Sequence, residues 1–106
     1  MYVHVKPDFT VALEEAQDFK RFKLVIASPR GDEARLKSAL AGIAELSNEG
    51  HAWISEAWLR RHDAAPAWQQ GLDAMITVAK KYGWVDEQAK TIRAHVERPG
   101  DAPAKA

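Results

Sequence analysis

Residues 22–46, FKLVIASPRGDEARLKSALAGIAEL, decide the fold, because the hydrophobic period changes within them. Phe22, Leu24 and Ile26 alternate with Lys23, Val25 and Ala27, the two-residue period of a strand with one apolar and one mixed face. Ser28-Pro29-Arg30-Gly31-Asp32 is turn chemistry, and Asp32 stands where a side chain accepts from the first free amides of a helix. Leu36, Ala39, Leu40, Ile43 and Leu46 then recur at three and four residues, which predicts a long helix through Leu46. A strand that feeds a helix of that length is a crossover unit, with the helix laid on the sheet.

Toward the N-terminus, Val3 and Val5 alternate with Tyr2, His4 and Lys6, so residues 1–6 read as a strand that Pro7 and Asp8 end. Thr10 caps a short helix whose apolar positions are Phe9, Leu13, Ala16 and Phe19; a strand through Val11 and Leu13 is the competing reading. Toward the C-terminus, Ser47-Asn48-Glu49-Gly50 stops the second helix, and alternation resumes from His51 to Leu59 as a third strand. A helix there would be less cleanly amphipathic. Arg60 to Asp63 reads as a loop. Pro66 opens the best helix of the chain, with Trp68, Leu72, Met75, Ile76, Ala79 and Tyr82 on one stripe. Lys80 and Lys81 suit its negative end, and Gly83 suits its closure. Trp84-Val85 leads into a turn at Asp86-Glu87-Gln88, and Thr91 to Glu97 is a last strand.

The expected fold is α+β: a two-layer sandwich of roughly four strands with two long helices on one face, over a single domain of residues 1–98. In element order this resembles ferredoxin-like and dimeric α+β-barrel proteins, a likeness of fold that carries no function. Residues 99–106 are small, polar and proline-containing, and are expected to form a flexible tail.

Composition removes several functions. Fifteen basic residues balance fifteen acidic ones in 106, so the one-signed field of a nucleic-acid or anionic-membrane binder is missing. There is no cysteine, hence no disulfide and no thiolate site. Residues 1–6 lack the basic and apolar segments of a signal peptide, and no apolar run approaches the roughly 18 residues of a membrane span; the expected location is cytoplasmic. Glycine-rich phosphate loops and GxSxG are absent, which leaves no expected cofactor. His4, His51, His95 and Glu97 carry metal-ligating atoms, but they form no HxH or HxxxH pair and Arg93 opposes a dication, so no metal is expected.

The face of the sheet turned away from the helices carries what remains. Period two sends Tyr2 and His4, His51 and Trp53, and Arg93, His95 and Glu97 to it. A slip of one residue in the third strand would exchange His51 and Trp53 for Ile54, Glu56 and Trp58. The expected ligand is a small organic molecule, anionic or aromatic, handled without cofactor by acid/base chemistry of the isomerase or lyase type. His95 and His4 would exchange the proton, as imidazoles do near neutral pH. Glu97 or Tyr2 would orient the ring, Arg93 would hold a carboxylate or enolate, and Trp53 and His51 would complete the binding surface. The bland reading of Arg93, His95 and Glu97 is a solvated stripe of cross-strand ion pairs, and that of Trp68 and Trp84 is core or helix-end packing. The alternative function is a non-catalytic subunit whose uncovered face is a homo-oligomer interface.

Overall fold

The computed structural model describes residues 1–47 and 50–98; the expected tail at 99–106 lies outside the described residues. Strands β1 (Tyr2–Val5), β2 (Val11–Glu14), β3 (Lys23–Ile26), β4 (Ala44–Leu46), β5 (His51–Ser55), β6 (Val85–Asp86) and β7 (Thr91–Glu97) form one sheet. Helices α1 (Glu33–Ala39), α2 (Glu56–Arg60) and α3 (Pro66–Lys81) accompany it. The sheet order is β2-β1-β3-β7-β5-β4, with β6 also paired to β7. β1, β3 and β7 are mutually parallel where they pair, while β2, β5, β4 and β6 join antiparallel.

This mixed seven-stranded sheet curls into a half-barrel with one long helix, and overturns the expected four strands with two long helices of ferredoxin-like type. Three segments account for the difference. After β1 the chain reverses at residues 6–10: Lys6 N donates to Thr10 O at 2.8 Å, Phe9 takes φ 69°, and Asp8 Oδ1 accepts from the Thr10 amide and hydroxyl. That hairpin turn sets Val11 opposite Val5, so residues 11–14 become an edge strand instead of a helix. The second segment is the expected long helix, which stops at Ala39. Leu40 caps it, Gly42 takes the left-handed φ of 76°, and residues 44–46 turn into β4 against β5. Third, the strand from His51 ends at Ser55, whose Oγ accepts from Trp58 N and starts α2.

The apolar positions of the strands meet the helices as patterned. Val3, Val5, Leu24, Ile26, Ala52, Ile54, Ile92 and Ala94 are buried with Leu36 from α1 and its cap Leu40, Leu59 from α2, and Trp68, Leu72, Ile76 and Ala79 from α3. Every third or fourth residue of α3 is thus in the core, as its amphipathic spacing predicts. Pro66 is its first residue, and Gly83 at φ 75° follows its end. The loop of residues 15–22 returns from β2 to β3. Trp68 Nε1 donates to Ala16 O at 2.8 Å and Met1 N to Asp18 O at 2.7 Å, which hold that loop against α3 and β1.

No helix among the described residues is long and apolar enough to cross a membrane.

Candidate functional site

Strand register places the sequence-derived residues on one face. A row Glu14, Tyr2, Lys23, His95, His51 crosses β2, β1, β3, β7 and β5. On one side of it lie Ala12, His4, Val25 and Glu97, and on the other Trp53 and Arg93, which are cross-strand partners. Ile54 is buried on the opposite face, so β5 does not slip.

Sharing a face does not bring these residues to one point. Tyr2, His4 and Glu97 belong to an ionic patch with Glu14 and Lys23. There His4 Nδ1 lies 3.4 Å from Glu14 Oε2, and Lys23 Nζ donates to Glu97 Oε1 at 3.1 Å and sits 5.8 Å from the centre of the Tyr2 ring. The charges of this patch answer one another. His4 and His95 are on β1 and β7 with β3 between them, a lateral separation of about 10 Å at ordinary strand spacing. The two imidazoles therefore do not touch, and each keeps different neighbours: His4 is beside Glu14, and His95 is opposite His51. Trp53 lines a different cavity, of about 760 Å³, beside Glu33 and Lys37 of α1 and Ser55 and Thr91.

The remaining three, Arg93, His95 and His51, do converge, at a fork in the sheet. β7 gives one edge to β5; its other edge is shared. At Thr91 and Ile92 it pairs with β6, Arg93 N donates to Trp84 O at 2.7 Å, and from His95 onward it pairs with β3. Ala94 stands where the two neighbours part. A cleft of about 700 Å³ opens there. One wall is the α3 face formed by Gly71, Ala74, Met75, Val78 and Ala79; another is Phe19 and Phe22; Trp84 borders the mouth.

His51 and His95 are direct partners across β5 and β7. The neighbouring bond from Val96 N to Gly50 O, 3.0 Å, puts them at the non-hydrogen-bonded kind of position, where side chains approach most closely, with Cβ atoms about 4.5 to 5.5 Å apart. His51 Nδ1 is out of reach of water and has no hydrogen-bond partner among the described residues. Leaving such an atom unpaired costs about 1 to 3 kcal/mol. Arg93 is half-buried, with its guanidinium carbon 5.8 Å from the centre of the Trp84 ring, and no carboxylate pairs with it among the described residues. Lys20 and Arg21 also line the cleft, and among the described residues that line it every ionisable group is basic. No three His, Asp or Glu side chains gather as a metal site among the described residues.

The sequence reading misses most of the walls. Trp84, read as core or helix-end packing, does stack on Tyr82 at the end of α3, with ring centres 4.7 Å apart, and also lines the cleft. Phe19 and Phe22, read as helix and strand core, are only half-buried and turn toward the cleft. Gly71 was the available signal, since a glycine inside a 16-residue helix needs a reason. Against family models, curated proteins and solved structures the chain finds no match, so the chemistry of the cleft rests on its own geometry.

Proposed function

We propose that the protein binds a small organic anion with an apolar body in the cleft at the fork of the sheet. The charged group meets Arg93, His95 and His51, and the apolar part lies against α3, Phe22 and Trp84. The observation that carries this reading is the half-buried Arg93, without a carboxylate partner among the described residues, in a cleft whose described ionisable residues, Lys20, Arg21, His51, Arg93 and His95, are all basic. Burying a cation away from water is costly unless something pairs with it, and a ligand carboxylate is the complement. The size supports it: clefts of about 300 to 1,000 Å³ take most of a small ligand out of water.

Isothermal titration with decanoate, phenylacetate and the uncharged decanol tests the reading. Saturable binding of at least one carboxylate and weaker binding of the alcohol are expected, with Arg93→Met lowering carboxylate affinity about tenfold or more, the scale of one charge-assisted contact. Absence of saturable carboxylate binding, or an Arg93→Met protein that binds like the parent, overturns it. Acid/base turnover of the bound anion would fall to His51 and His95, the imidazoles that line the cleft.

A further inference from the structure

The shape of the same cleft narrows its ligand. The α3 positions that face it, Gly71, Ala74, Met75, Val78 and Ala79, span two turns of the helix, which at 1.5 Å per residue makes a trench about 12 Å long. Arg93 and Trp84 mark one end, beside Val78 and Ala79. Phe19 marks the other, and its ring is pressed onto the helix at Gly71: a Cβ placed on Gly71 would stand 2.4 Å from Phe19 Cε2 and 2.6 Å from Cζ. The ring also leans on Trp68, with centres 6.0 Å apart, and Trp68 is itself tied to the loop by its bond to Ala16 O. Phe19 is therefore held back in a recess that only glycine leaves open.

We infer that the ligand is a linear carboxylate of medium chain length, its head at Arg93 and its tail along α3, and that Phe19 seated on Gly71 is the stop that sets the longest chain accepted. This rests on the anion reading above and adds the ligand class and the length determinant. Ala74, Ala79 and Ala94 contribute one methyl each to the trench, and the larger Phe19, Phe22 and Met75 complete its apolar lining; its length between Arg93 and Phe19 is what points to an extended chain.

Affinities of hexanoate, decanoate and tetradecanoate are measured by titration for the parent protein, Phe19→Ala, Gly71→Ala and the double variant, with circular dichroism and thermal melting as the check on folding. The parent is expected to prefer decanoate and to discriminate against tetradecanoate by about tenfold or more. Phe19→Ala removes the stop and brings tetradecanoate level with decanoate. Gly71→Ala pushes the ring into the trench and shifts the preference to hexanoate; adding Phe19→Ala to it restores binding of the longer acids, which separates displacement of the ring from loss of fold. Carboxylate binding with no length limit, or with a limit that Phe19→Ala leaves in place, overturns the stop while the anion reading stands. Failure of all three acids to bind the folded parent overturns the linear-chain inference; the anion reading falls with it when phenylacetate fails as well.

Discussion

Arg60 shows how much of this small protein is organised by single side chains. Its Nε donates to Glu56 Oε2 at 2.7 Å, one terminal nitrogen donates to Gln69 Oε1 at 2.8 Å, and the other donates to Asp73. Hydrogen bonds to Glu56 first and Asp73 second push the guanidinium's pKa further above its already high ordinary value. The group joins α2 to α3 across a connection without other secondary structure, and Gln69 Nε2 completes it by donating to Arg60 O and Asp63 O. Because the partners are partly exposed, the coupling is modest. Arg60→Met is expected to lower stability by about 1 to 2 kcal/mol, read from the urea midpoint, without changing carboxylate binding. Asp8 works at the opposite end of the sheet. The Thr10 hydroxyl, then the Thr10 amide, hold its carboxyl below the ordinary aspartate value. A depressed folded value means that the turn is stabilised at neutral pH and loses that contribution as pH falls through the acid end of the carboxylate range. Thr10→Val should therefore shrink the loss of melting temperature between about pH 5 and pH 2, relative to the parent.

Among the elements, the segment after α1 carries the most direct test of the fold. Gly42 is at φ 76°, and a Cβ there would meet nothing within 4 Å, so substitution costs backbone strain alone. Gly42→Ala is expected to destabilise by about 1 kcal/mol; were residues 36–46 one continuous helix, the same change would stabilise by a similar amount, so the sign of the shift in urea midpoint decides between them. The reason the sequence misleads here is physical. Ile43 and Leu46 continue the three-and-four spacing of the helix that precedes them, and a three-residue strand is too short to show an alternation that would break it. Residues 11–14 fail for the same cause, since Leu13 belongs to both periods. The longer segments were legible. β1, β3, β5 and β7 lie within the stretches whose alternation marks them, with the buried side as expected except for the half-buried Val96, and α3 runs from Pro66 to Lys81 as its stripe requires. β6 has only two residues and leaves no periodic trace.

For the molecule as a whole, which residues share a face was legible, and which of them meet was not. Period two assigns Tyr2, His4, Trp53 and Glu97 to the face of Arg93, His95 and His51, but the order of strands then separates them. That order depends on pairings between residues far apart in sequence, such as Lys23 with His95, and alternation holds no information about them. The cleft was hidden for the same reason. It exists because β3 and β6, distant in the chain, take turns along one edge of β7.

That shared edge also dictates the order in which the molecule can be built. β5, β3 and β6 are each paired through the strand at residues 91–97, so the halves of the sheet have no direct bond to each other until this last strand arrives. Pairings of high sequence separation are slow to form, because the chain entropy is lost before the contacts that offset it are made. A chain ending at Lys90 is expected to lack cooperative thermal unfolding, whereas the same chain mixed with a peptide of residues 91–98 should recover it. Until residues 91–97 are added, β3 and β5 each lack a neighbour and their apolar faces are only partly covered, which makes the docking of this strand the step at which folding and aggregation compete.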